Sequence, residues 1–292
     1  MRRCFFSVNQ FSFYEMKKIS LIVWCCLFLI NGQAQNKPLE FVYKQVDTTA
    51  LKMQVYYPQD YVKGEKRSTI LLFFGGGWNT GSVNQFKHQA LHFAAKGMIA
   101  VTADYRVKSR QHTSPFECVK DGRSAMRYLR THADELGIDT GRIAAGGGSA
   151  GGHVAAATDL TRIDETTDDL TVSPRPNALV LFNPVFHNGP GNYGYDRLQD
   201  NYQKISPYHN IRKGAAPTLV FLGTRDKLIP VETAKEYQQK MREVGSRCEL
   251  LLYEGQGHGF FNYKPKKDLT YYQQTLDEAV RFLTSLGYMG GD

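Results

Sequence analysis

Three separated stretches of this chain carry residues able to do chemistry together. Residues 147–151 read Gly-Gly-Ser-Ala-Gly, of the form Gly-x-Ser-x-Gly. The run before them, 142–146, suits a short buried strand, and the run after them, 152–157, is small and apolar enough to open a buried helix. A serine between two such elements sits on a tight, strained turn that projects its hydroxyl from the end of a sheet. Glycines two residues to either side let the strand and helix backbones approach closely. Ser149 alone is a weak nucleophile; it needs a base, and the base needs an orienting group. Among eight histidines, His258 is the best-situated base, in the glycine-flanked loop Gly255-Gln256-Gly257-His258-Gly259. Asp226, in Gly223-Thr224-Arg225-Asp226, follows the preceding strand-like run. It can accept the other N–H of the imidazole and stabilise the imidazolium. The order Ser149, Asp226, His258, each just past a strand, predicts nucleophilic attack on a carbonyl.

Such attack develops negative charge on the carbonyl oxygen, and Gly75-Gly76-Gly77-Trp78 is suited to receive it. Backbone N–H groups at the end of an early strand can point at an oxyanion when no side chain blocks them, with Ala150, just after the nucleophile, as a further donor. Trp78 and the tyrosines at 193, 195 and 202 offer flat rings. They either line a pocket for a sugar face or an acyl group, or pack a cap against the core. His88 and His92 stand four apart on a helix, which is ligand spacing, but no third ligand accompanies them and no metal site is expected. His132, His187 and His209 are assigned surface or structural roles.

The elements that must position these residues alternate. Residues 41–44 and 51–57 read as an opening antiparallel pair, and 69–74 as a buried strand. A helix over 85–96 and a strand over 98–103 follow. Ser114-Pro115-Phe116-Glu117 is a capping box with proline at the first helical position. The helix it opens carries Phe116, Val119, Gly122, Met126, Leu129 and Ala133 on one face. Residues 161–176 read as a polar surface excursion, and 187–216 as a cap or lid insertion, too long for an ordinary connection. Strands are expected at 178–182, 218–222 and 248–253, with helices after the last two. Alternation of this kind implies a mostly parallel central sheet with helices on both faces.

Composition is that of a globular chain: 292 residues, 42% hydrophobic and 22% charged, which admits one α/β domain. At the start, Lys17-Lys18, the apolar run 19–30 and small residues at 32 and 34 read as a secretory signal cut after Ala34, with 1–15 as an upstream extension before Met16. The run is short for a bilayer span, so no stable membrane insertion is expected after cleavage, and the mature domain, 35–292, is secreted or periplasmic. Removing 1–34 takes four basic residues and one acidic from the formal +8, leaving +5. With no basic run or aromatic-interleaved patch, no nucleic-acid surface is expected. Cleavage leaves two cysteines, Cys118 and Cys248, expected as buried free thiols.

Phe74-Gly75-Gly76-Gly77-Trp78, Asp104-Tyr105-Arg106, 147–152, Asp226 and Gly257-His258-Gly259 together resemble the hormone-sensitive-lipase-like and acetyl-xylan-esterase-like branch of the α/β-hydrolases. The resemblance spans nearly all of the mature chain. It implies an α/β-hydrolase fold and serine carboxylester hydrolysis through an acyl-enzyme, without a cofactor. It further implies Gly76 and Gly77 as oxyanion donors beside Ala150, and Asp104-Tyr105-Arg106 as scaffold. The family usually has a histidine where this chain has Phe74, which puts the support of the loop in question. Export and the resemblance together suggest small acyl esters, acetyl above all, of a carbohydrate or oligosaccharide. An amidase or peptidase of the same fold, formamidase-like, and a non-catalytic sugar-binding homologue are the alternatives.

Overall fold

The computed structural model describes residues 37–290. The expected signal segment and its cleavage after Ala34 lie outside the described residues. Strands β1 (Leu39–Val46) and β2 (Thr49–Tyr56) form the expected antiparallel hairpin. They extend a sheet of β3 (Arg67–Phe73), β4 (Ile99–Ala103), β5 (Ile138–Gly148), β6 (Ala178–Phe182), β7 (Thr218–Gly223) and β8 (Cys248–Tyr253). The order across the sheet is β1-β2-β4-β3-β5-β6-β7-β8; β3 to β8 pair in parallel, and β2 pairs antiparallel to β4. The crossover direction reverses between β3 and β5, which opens a crevice beyond the carboxyl ends of those two strands.

Buried residues alternate between the two faces, as the strand period requires. Leu71, Phe73, Val101 and Ala145 pack against α2 (Pro115–Thr131), α3 (Ala150–Leu160) and α4 (Val231–Glu243). Their neighbours Ile70, Leu72, Ala100 and Ala144 pack against α1 (Lys87–Ala95) and α5 (Thr270–Ser285). With both faces covered, the central strands are apolar throughout; each large side chain so buried contributes about 1.5–3 kcal/mol.

Two expectations need adjustment. The helix expected from residue 85 begins as a 3₁₀ turn, Val83–Phe86, in which the Ser82 hydroxyl accepts from the Asn84 N–H, and becomes α-helical only at Lys87. More consequentially, 161–176 is not merely a polar surface excursion. Its Asp164, Glu165 and Asp168 pair with Arg123 and Arg127 of α2, with Arg106, and with Lys44 of β1. Carboxylates that look solvated in the sequence neutralise buried basic groups, which an interior tolerates only when paired.

The capping box at Ser114 is present as expected: its hydroxyl accepts from the Phe116 N–H, and the Glu117 carboxylate accepts from the Ser114 N–H at 3.0 Å. Cys118 and Cys248 are free and buried. Burial pushes both thiols up, Cys248 to about 12. Among the described residues no helix is long and apolar enough to cross a membrane.

Candidate active site

Ser149 follows the last residue of β5 and precedes α3, with φ 53° and ψ −118°. A non-glycine residue there costs on the order of 1–3 kcal/mol and persists only where its surroundings over-determine it. The flanking glycines do so. A Cβ at Gly147 would lie 2.5 Å from the carbonyl oxygen of Phe73, and one at Gly151 would lie 2.2 Å from those of Phe73 and Phe74. The turn can close against β3 only because both positions lack a side chain. The Ser149 N–H donates to Phe182 O at 2.9 Å, and the Val185 N–H donates to Ser149 O at 3.3 Å, so the corner after β6 clasps the elbow.

Asp226 lies past the end of β7 with its side chain fully buried. Its Oδ1 accepts from the N–H groups of Leu228 (2.8 Å) and Ile229 (3.0 Å), and its Oδ2 lies 2.7 Å from His258 Nδ1. A carboxylate so saturated holds one orientation, and the imidazole is aligned by it. His258 is a quarter exposed, as a group that must meet a substrate requires. Its loop is anchored by Phe261, which wedges among Phe86 and Phe182 and would strike any Cβ at Gly148 within 2.5 Å. A direct hydrogen bond from Ser149 Oγ to His258 is not formed among the described residues. His258 Nε2 instead faces Asn183 Nδ2 at 3.4 Å. Catalytic contacts of this kind commonly tighten only with substrate.

Gly76 and Gly77 both have positive φ, 119° and 63°. At Gly76 a Cβ would lie 2.2 Å from Thr80 O, so only glycine fits. Among the described residues the N–H groups of Gly76 and Gly77 donate no hydrogen bond, and that of Ala150, in the first turn of α3, has no intrahelical partner. Three free amides thus lie on the two loops that meet at the crevice; Gly75 approaches near enough that a Cβ there would lie 3.4 Å from Ser149 Cβ.

The aromatic residues divide. Trp78 is 1% exposed, with Arg197 over its ring at 4.9 Å, His153 meeting it edge to face at 4.9 Å and Tyr193 tilted against it at 5.7 Å. It packs the insertion against the core, and the pocket-lining expectation is corrected: an indole with 1% of its surface exposed has no face to offer a ligand. Tyr195 meets Tyr202 edge to face, and Tyr202 meets His209, within the insertion; their ring partners are cap residues. Tyr193 is different. Its hydroxyl would lie 2.6 Å from a Cβ at Gly77 and makes no hydrogen bond among the described residues. Segment 187–216 is built of short helical turns seated by buried Leu198 and Ile205 on Val119 and Ala157, with Arg197 Nη1 donating to Gly77 O.

Family models match this chain in two consecutive parts, BD-FAE over residues 53–179 and the dienelactone hydrolase family over 183–286. The structure of an esterase from Thermogutta terrifontis, Est2, is 41% identical, with a TM-score of 0.84, covering 89% of this chain and 96% of that one. The same esterase has been solved phosphoramylated by tabun. The chain belongs to the α/β-hydrolase esterases. Esterase LipC of Mycobacterium tuberculosis is 30% identical over 67% of this chain and 54% of its own length. An acetylxylan esterase of Xylanibacter ruminicola is 28% identical over 73% of this chain and 44% of its own. The chain spans about half the length of these curated relatives.

Within this family of serine carboxylic ester hydrolases, the missing histidine before the glycines has a replacement. Phe74 stacks on Tyr105 at 4.2 Å, and the Tyr105 hydroxyl donates to Phe74 O at 2.7 Å, so the loop is braced by ring contact and a tyrosine. A second brace escaped the sequence reading. The Gly75 N–H donates to Gln85 Oε1 (2.6 Å), Gln85 Nε2 to Asn262 Oδ1 (2.9 Å), and Asn262 Nδ2 to Gly259 O (2.9 Å). This chain of amides ties the glycine loop to the histidine loop. The only local signal for Gln85 was its place just inside a predicted helix after that loop; Asn183 and Asn262 gave none beyond their nearness to a strand end and to His258. His88 and His92 instead meet Tyr263 and Phe93 as ring partners. Among the described residues no group of three or more His, Cys, Asp or Glu is disposed to hold a metal ion.

Proposed function

We propose that this chain cleaves small acyl esters, acetyl esters of carbohydrate first among them, through an acyl-enzyme on Ser149. Ser149 is the nucleophile, His258 the base, Asp226 its orienting partner, and Gly76, Gly77 and Ala150 the oxyanion donors. The observation that carries this reading is the 2.7 Å Asp226–His258 pair at the same sheet edge as a strained serine. His258 Nε2 takes the hydroxyl proton as Oγ bonds to the carbonyl carbon, and the carbonyl oxygen becomes an anion facing the three amides. Collapse expels the alcohol, which leaves with the proton from Nε2. Water, deprotonated by the same nitrogen, then attacks the acyl-enzyme and releases the acid. Asp226 accepts the Nδ1–H at 2.7 Å and stabilises the imidazolium.

A carbohydrate-derived acetyl ester is supported by the likeness to an acetylxylan esterase and by the export signal read at 1–34, which would deliver the enzyme to extracellular or periplasmic substrate. An esterase relative that tabun phosphoramylates supports an activated nucleophile. The test is hydrolysis of p-nitrophenyl acetate, long-chain p-nitrophenyl esters and acetylated oligosaccharides by wild type and Ser149→Ala, with fluorophosphonate labelling alongside. The variant should lose about 10⁴-fold or more in kcat and all labelling. Equal activity of the two proteins ends the serine mechanism. A strong preference for the long-chain esters ends the acetyl reading.

A further inference from the structure

Asn183 stands at the corner after β6, fully buried, with φ 35°. Its backbone N–H donates to Phe221 O at 2.7 Å, which fixes the corner against β7. Asparagine and aspartate are the non-glycine residues that tolerate this left-handed backbone best. The side chain bridges outward to the histidine loop. Asn183 Oδ1 accepts from the Gly259 N–H at 2.8 Å, and Nδ2 stands 3.4 Å from His258 Nε2. The orientation of the amide is dictated by chemistry: a backbone N–H can only donate, so Oδ1 must face Gly259 and the NH₂ must face the ring. That NH₂ is itself donor-only, so the ring nitrogen it faces must hold a lone pair.

We infer that Asn183 is a positioning residue for the base, holding His258 in the tautomer with its proton on Nδ1 and its Nε2 free to accept. The inference rests on the reading of His258 as base. It adds that a neutral side chain outside the triad enforces the tautomer from the Nε2 side while Asp226 enforces it from the Nδ1 side. Within ion-pair distance, Asp226 on the loop after β7 is the charged side chain that faces the ring among the described residues. From the β6 corner the ring meets the uncharged Asn183. The donor-only NH₂ is matched by the tautomer whose lone pair lies on Nε2. The same corner holds the elbow, through Ser149 N–H to Phe182 O and Val185 N–H to Ser149 O. One four-residue segment therefore sets the place of both nucleophile and base, and the ring must leave the amide when it turns to the Ser149 hydroxyl.

Two variants separate this role from a purely structural one. Asn183→Gly accepts the left-handed backbone but has no amide. It should stay folded, with kcat reduced about 10- to 100-fold and KM within about twofold, as misplacement of a reacting group by about 1 Å predicts. Asn183→Asp keeps an acceptor for Gly259 and sets a carboxylate oxygen against Nε2, which favours the imidazolium. The acid limb of its pH–kcat/KM profile should move up by about one unit or more, with activity above that limb exceeding that of Asn183→Gly. Wild-type turnover in Asn183→Gly, or an acid limb unmoved in Asn183→Asp, overturns the inference. Ser149→Ala and His258→Ala assayed in the same series test the underlying mechanism separately: full activity in either defeats that mechanism whatever Asn183 does.

Discussion

The rim that bears Ser149 and the flank formed by β1, α2 and the 161–176 segment are fastened by opposite means. At the rim, neutral amides make most of the ties, Gln85 to Gly75, Asn262 to Gln85 and Gly259, Asn183 to Gly259 and His258, beside the charged contacts of Asp226 with His258 and Arg197 with Gly77 O. On the flank, charge does it. Asp121, fully buried, receives Lys44 Nζ at 2.6 Å and Arg106 through Nε and Nη2, each at 2.8 Å; Glu165 bridges the same two cations, and Asp164 and Asp168 hold Arg123 and Arg127. The contrast has an electrostatic origin. A reaction that creates an oxyanion and an imidazolium needs its one fixed negative charge, Asp226, on the imidazolium side at 2.7 Å from His258, whereas an amide positions the remaining loops without adding to the field. Away from the crevice no charge develops, and ion pairs can hold a polar segment over the core. Ser149, Trp78 and Asn183 all have positive φ at the rim.

Removing a charge should therefore cost stability, and removing an amide should cost turnover. Asp121→Ala leaves the buried Lys44 and Arg106 to share the single carboxylate of Glu165. We expect a loss of about 3–5 kcal/mol in unfolding free energy by urea titration, with kcat changed less than twofold well below the melting temperature. A destabilisation under 1 kcal/mol would show that the buried pairs contribute little. Gln85→Ala frees the glycine loop, and kcat on p-nitrophenyl acetate should fall about 10- to 100-fold with a loss of roughly 1 kcal/mol of stability, since one donor of an oxyanion hole carries about 10²–10³. Unchanged turnover would mean that the Phe74–Tyr105 stack suffices.

The third effect is graded with pH and small near neutrality. Burial pushes His153, whose Nε2 meets Asn188 Oδ1 at 3.0 Å, down to about 3. The unfolded chain binds its proton near 6.5, so the unfolded state holds more protons between about 6.5 and 3, and stability falls as pH falls through that window. Asp164 and Glu165 resist burial, which alone would raise them, and are held below the usual carboxylate range by Arg123 with Arg127 and by Lys44 with Arg106. Their contribution is intact above about 4.5 and is lost only below it. Denaturation at pH 7, 5.5, 4 and 3 should show loss beginning near 6.5 and steepening below 4.5. His153→Gln should remove about one proton, roughly 1.4 kcal/mol per pH unit, from the slope between about 6.5 and 3, most clearly above 4.5 where the carboxylates do not contribute. An upper slope identical in both proteins would remove His153 from the account.

Much of the fold and of the candidate site was legible because its signals are local. The Gly147–Gly151 spacing, the capping box at Ser114 and the apolar runs of β3, β6 and β7 each report a backbone requirement met within a few residues. The acidic residues at 164, 165 and 168 were misread because composition shows charge without its partners. Asn183 and Asn262 went unnoticed for a related reason, since a single polar residue past a strand has no period and no spacing to betray it.

By itself, the sequence determined a doubly covered α/β sheet with a serine elbow, an acid and a histidine at successive strand ends, because strand period, glycine spacing and chain order are properties of neighbouring residues. The tertiary structure alone decided that Gln85 reaches Asn262, 177 positions away, that Asn183 faces the base, and that Trp78 is enclosed. Such contacts depend on where separate loops converge once the sheet has twisted and the helices have closed over it. That convergence is fixed by packing of the whole core, and no stretch of the chain encodes it alone.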